Sequence, residues 1–170
     1  MPRFLVALLA LTTQLLATSL CAESIWHSPP ENPVLLTVTG KLLCCPDGNA
    51  YFDLERLDAL PQTSVKTTTP WTETADSYSG VRISKLLKAL GAEGQTISAT
   101  ALNDYSIPFS AAVALEYPVI LATRSNSQLM RVRDKGPIWI IYPLSDYPQL
   151  RKEAYHQTMV WQLKSLTISE

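Results

Sequence analysis

The sequence is poor in the residues from which most metal and phosphate chemistry is built. Its two histidines, His27 and His156, lie far apart with no metal-type spacing, which points to surface or core roles for both. Only six glycines are spread along 170 residues, and none forms a Gly-rich phosphate loop. Nucleophile-elbow and paired-histidine motifs are absent as well. Charged residues make up 17% of the chain and nearly cancel, leaving a formal net charge of −1. No basic footprint for nucleic acid results.

Cysteine is sparse too. Cys21 lies in the leader-like start, which leaves the adjacent pair Cys44 and Cys45. A disulfide between neighbours is far from ordinary bridge geometry. One buried and one exposed thiol beside a turn is therefore the expectation, with a vicinal disulfide or a soft-metal contact as alternatives.

Long apolar runs are confined to the start of the chain. Arg3 precedes Phe4 to Ala10 and then Leu11, Leu15 and Leu16, and small residues follow at Ser19 to Ala22. This is the pattern of a secretory signal peptide over 1–22, cleaved after Ala22. Thr12, Thr13 and Gln14 make the run too short and polar for a membrane span, and Leu20 stands where lipidation of Cys21 would want a small residue. Cleavage would leave a soluble periplasmic or secreted chain, 23–170, with 13 basic and 15 acidic residues and no transmembrane segment. That length suits one domain.

Val34, Leu36 and Val38 alternate up to Gly40, the mark of a strand. Pro46-Asp47-Gly48-Asn49 is turn chemistry between 41–44 and 50–52, predicting a hairpin. Asp53 is placed to cap a helix carrying Leu54, Leu57 and Leu60. A strand over 64–69 precedes Pro70, and a polar loop is expected over 72–79. Gly80 opens a second helical unit, capped at Ser84 and stopped at Gly91. Strands are further expected at 96–102, 119–122, 129–133, 138–142 and 159–168, with a helical turn at 110–117 and a polar, helix-like piece at 146–154. The short run Val119 to Ala122 suits a strand buried on both faces. The fold class is α+β, with a mixed, bent β-sheet core and short helices.

The densest charge lies in Arg131-Val132-Arg133-Asp134-Lys135-Gly136-Pro137. If this is a strand running into a corner, Arg131, Arg133 and Lys135 share one face and could hold a phosphate, sulfate or carboxylate. Otherwise they are a solvated face with surface ion pairs.

The order of Val38-Thr39-Gly40, the helix at Phe52 to Leu57, Trp71, Gly80-Val81 with Leu86-Leu87, the turn Ala101 to Tyr105, Ile120 to Ala122 and Gly136-Pro137 resembles the oxidoreductase molybdopterin-binding domain of the sulfite oxidase family. The resemblance implies a sulfite oxidase-like fold and a cofactor pocket bordered by Asn103, Asp104 and Tyr105, with Trp71, Arg131, Arg133, Lys135 and Gly136 as further walls. It also exposes a departure. Catalytic members carry a cysteine thiolate for molybdenum four residues before the tryptophan, and Thr67 stands there in this chain. A neutral hydroxyl is a poor substitute for a soft thiolate.

Three functions remain open on these grounds, because fold does not fix function. The chain could be an exported binding protein for a small anionic ligand without metal catalysis. It could be a molybdopterin-dependent oxidoreductase or electron-transfer subunit in which the cofactor's own dithiolene supplies the sulfur. It could also be a partner of a membrane signalling or redox complex. Catalytic residues are not identified, and no metal-ligand set is present.

Overall fold

The computed structural model describes residues 25–170; the signal-peptide expectation for 1–22 lies outside them. Among the described residues no helix is long and apolar enough to cross a membrane.

Among the described residues, ten strands form two five-stranded sheets where one bent sheet is expected from the sequence. The first sheet runs β2 (Asn49–Phe52), β1 (Leu36–Gly40), β10 (Leu163–Ser169), β5 (Thr96–Ala101), β6 (Ser106–Ser110). β1 and β10 pair in parallel, Thr37 opposite Ser165, so the chain closes on itself. The other pairings of this sheet are antiparallel. The second sheet is antiparallel and runs β3 (Gln62–Thr67), β4 (Asp76–Arg82), β7 (Ile120–Ser125). The far side of β7 is shared by β8 (Gln128–Leu129) and β9 (Trp139–Ile141).

Short α-helices connect them: α1 (Leu54–Asp58), α2 (Ile83–Leu90), α3 (Ala111–Glu116) and α4 (Glu153–His156). Asp53 caps α1 as expected, accepting from Arg56 N at 2.8 Å. α2 buries Leu86, Leu87 and Leu90 on its apolar stripe, and each leucine fully withdrawn from water contributes about 1.5–3 kcal/mol. It ends at Gly91, whose φ of 56° is a left-handed C-cap conformation that glycine adopts without a Cβ penalty.

Local corrections follow from pairing partners that the sequence does not display. The segment expected as a loop and helix start, 72–82, contains β4, and Ser84 lies inside α2 and not at its cap. Its polar residues hide a strand because burial comes from β3 and β7 on either side. Gly80 is in that strand for close approach: a Cβ there would lie 1.9 Å from the Leu121 carbonyl oxygen, beside the register shift that leaves Thr123 as the extra residue of β7. The 41–44 arm of the hairpin is a loop with a single bridge, Leu42 to Ala92. The last strand starts at Leu163, since Gln162 takes a φ of 51°. The 146–154 segment is split between a 3-10 turn, Pro148–Leu150, and the start of α4. Cys44 and Cys45 are joined as a vicinal disulfide, in place of the two free thiols expected. Ile120, Leu121 and Ala122 are buried on both faces, as their composition implies.

Candidate functional site

The expected cationic strand is not one. Only Gln128–Leu129 form a strand; Val132–Asp134 form a 3-10 turn, and Lys135 follows in left-handed conformation at φ 70°. The three cations therefore do not share a strand face. Arg131 Nε donates to Asp134 at 2.9 Å, and Arg133 lies 3.8 Å from the same carboxylate. The hydrogen bond from Arg131 is the main reason the Asp134 carboxyl is held below its ordinary range. Both arginines are exposed, so this is surface ion pairing of small energetic weight. Lys135 turns the other way, with Nζ 5.3 Å from the Trp139 ring and 5.8 Å from the Trp161 ring. Gly136 is buried at the corner, where a Cβ would meet the Met130 carbonyl oxygen at 2.1 Å; its role there is backbone packing.

What the fold assembles instead is an aromatic cleft of about 320 Å³. Trp71 and Trp161 stand edge to face at 4.9 Å, and Trp139 lies beneath them at 6.0 and 6.5 Å. Trp139 is buried and anchored, its indole N–H donating to the Met159 carbonyl at 3.0 Å. Trp71 is 41% and Trp161 37% exposed. Edge-to-face contact orients two large rings, and their outward surfaces remain available.

Each wall is held by its own backbone. Trp71 sits on a tight turn in which Thr69 N donates to the Thr72 hydroxyl at 2.9 Å and Trp71 N donates to the Thr69 hydroxyl at 3.2 Å. Asn103 and Tyr105 line the cleft from the turn after β5, where Tyr105 N donates to Asn103 Oδ1 at 3.1 Å. That bond leaves the Asn103 amide N–H₂ and the Tyr105 hydroxyl without partners among the described residues. Asp104, in the same turn at φ 66°, faces Lys164 as an ion pair and does not line the cleft. His156, Gln157, Met159, Val160 and Trp161 supply the remaining side. Buried Thr158 fixes that segment, its hydroxyl hydrogen-bonded to the Tyr142 hydroxyl at 2.9 Å and the Tyr155 carbonyl at 2.8 Å.

Of the residues proposed from sequence, the structure thus brings together Trp71, Asn103 and Tyr105. Thr67 is 0% exposed: its hydroxyl accepts from Ser145 N at 3.0 Å and donates to the Thr68 carbonyl at 2.9 Å. Arg133 and Lys135 line a different cleft with Asp76 and Tyr78. His156 and Trp161 were not legible as site residues, because neither spacing nor charge marks them. Chemically the aromatic cleft offers flat apolar faces, an amide, a phenol and an imidazole, which suit binding of a planar polar ligand.

No protein-family model matches this sequence, and no curated protein matches it. Its structure is similar to that of the sulfane dehydrogenase SoxCD from Paracoccus pantotrophus, with a TM-score of 0.58 and 18% sequence identity, over 79% of this chain and 37% of that one. The chain therefore spans little more than a third of the length of that protein. At such identity the likeness supports a distantly shared fold, a mixed α/β arrangement of two sheets with few short helices, related to that of an oxidoreductase.

Proposed function

We propose that this chain is an exported binding protein that keeps an oxidoreductase molybdopterin-domain fold without its metal chemistry, and that the Trp71–Trp161 cleft takes a small planar heterocycle with a polar edge. The observation that carries this reading is the pairing of an open aromatic cleft with a closed Thr67. Two exposed indoles flank free donors at Asn103 and Tyr105, while the position that holds the thiolate in catalytic relatives is buried and fully hydrogen-bonded.

The residues present do not fit a metal-bearing pterin. Thr67 offers no thiolate, and its oxygen is already engaged. The cleft lining contains no lysine or arginine to meet a terminal phosphate; Lys135 lies against the Trp139 and Trp161 rings, and Arg131 and Arg133 pair with Asp134. A neutral heterocycle or a mono-anion drawn by the nearby Lys135 suits this lining better than a polyanion.

Protein purified from its native exported fraction is to be analysed by native mass spectrometry and elemental analysis. A small aromatic ligand released on denaturation, lost in Trp71→Ala, and no molybdenum are expected. Molybdenum at one atom per chain would sink this reading and favour the cofactor-binding alternative.

A further inference from the structure

The disulfide between Cys44 and Cys45 lies in the segment 41–48 that links β1 to β2, and neither cysteine lines the aromatic cleft. A disulfide stabilises a fold chiefly by closing a loop of the unfolded chain, and its effect grows with the number of residues enclosed. A bond between neighbours encloses none, so this one is not a staple of the fold. Nor does the core need it for packing. Cys45 is 1% exposed among apolar side chains, where a free thiol would serve equally as a small hydrophobe.

What the bond holds is the local path of the segment, which is docked on the end of α2. Leu43 N donates to the Gly91 carbonyl at 3.2 Å, Cys44 N to the Leu90 carbonyl at 3.1 Å and Glu93 N to the Lys41 carbonyl at 2.9 Å. The first two bonds use carbonyls that a helix end leaves without partners of its own. Gly91 permits the close approach, since a Cβ there would lie 2.8 Å from Leu43 Cβ. Cys45 N also donates to the Leu42 carbonyl at 3.3 Å, and Gly48 N to the Cys45 carbonyl at 2.8 Å, so both cysteines sit within turns. Opening the ring frees the backbone torsions between the two Cα atoms, on which these bonds depend.

The two cysteines differ in access. Cys44 is half-buried beside Leu43, which is 71% exposed, whereas Cys45 is enclosed in the core. An incoming thiolate meets Cys44 first.

We propose that Cys44–Cys45 is a reversible thiol–disulfide exchange site for an external pair of thiols, and that its opening releases the segment 41–48 from the end of α2. The first thiolate bonds to Cys44 Sγ; the bond to Cys45 breaks, and Cys45 Sγ leaves with the electron pair and takes a proton. The second thiolate bonds to the external sulfur of the mixed disulfide, and Cys44 Sγ leaves and is protonated in turn. The chain gains two electrons and two protons, and the external thiols depart as their own disulfide. This site is independent of the aromatic cleft.

The full chain is equilibrated at neutral pH in graded mixtures of reduced and oxidised glutathione, to which structural disulfides are resistant. It is then alkylated and digested with trypsin. Cleavage after Lys41 and Arg56 gives the peptide 42–56, which carries Cys44 and Cys45 without Cys21. The doubly alkylated peptide is expected to rise and fall reversibly with the mixture. Amide hydrogen exchange at Leu43, Cys44 and Glu93 should be about tenfold faster or more in the reduced form, with the urea midpoint unchanged. Cys44→Ser, and Cys45→Ala, which keeps the buried position apolar, should show the faster exchange at Leu43 and Glu93 permanently and no response to glutathione. A pair that stays oxidised, or stays reduced, in every mixture overturns the proposal. So does unchanged amide exchange on reduction, and a fall in the urea midpoint would show that the bond is a staple after all.

Discussion

Thr67 makes two hydrogen bonds with its one hydroxyl, to Ser145 and Thr68, and this decides what a substitution can do. A thiol is a weak donor and acceptor, so Thr67→Cys is expected to lower stability by about 1 kcal/mol without loading molybdenum, because the side chain is enclosed in packing. Urea unfolding and elemental analysis together check this; metal uptake by the variant would show that the site opens. Asp53 is a second such residue: it caps α1 and also accepts from Asn32 at 3.0 Å. The hydrogen bond from Arg56 N–H is the chief reason its carboxyl is held below the ordinary value of 3.8. A folded-state value below the unfolded one stabilises the fold above the unfolded value, and this contribution is lost as pH falls through the folded one. Asp53→Ala should cost about 1 kcal/mol at neutral pH, and the deficit relative to wild type should shrink in acid, measured by urea midpoints from pH 7 down to about 3.

At the scale of elements, amphipathic patterns were readable and polar strands were not. α2 and the doubly buried core of β7 declare themselves through Leu86, Leu87, Leu90 and Ile120 to Ala122. β4 does not, since Asp76, Ser77 and Ser79 look like loop residues until β3 and β7 pair on both sides. The 131–135 segment misleads in the opposite direction. Alternating cations suggest a strand, but Asp134 lies within reach of Arg131 three residues before it, and the ion pair closes a 3-10 turn. Gly80 marks a close approach of β4 to β7. Gly80→Ala, with its Cβ 1.9 Å from the Leu121 oxygen, should destabilise by about 1–3 kcal/mol, seen as a lower urea midpoint at unchanged slope.

Across the whole molecule, the two sheets, α2 and the central tryptophan share one core, and two tyrosine hydroxyls are caught in it. Burial pushes both Tyr78 and Tyr142 up to about 12 from an ordinary 10.0. A folded value above the unfolded one leaves stability intact below pH 10 and erodes it as pH rises towards 12. Alkaline unfolding is therefore expected in that window, with a shallower decline for Tyr142→Phe. Urea midpoints measured from pH 8 upward decide it, and an equal slope for wild type and variant would show that other groups dominate.

Composition, periodicity and capping residues, by themselves, determined a mixed α/β chain of short elements, the cap of α1, the stop of α2 at Gly91 and the absence of a cysteine at position 67. These are properties of adjacent residues and of patterns repeated every two or three to four positions. Tertiary structure alone decided the split into two sheets, the parallel closure of β1 on β10, the enclosure of Thr67 by Ser145 and the meeting of Trp71 with Trp161. Those depend on contacts between residues about 80–130 positions apart, where chain closure is driven by the whole core and no local propensity records the partner.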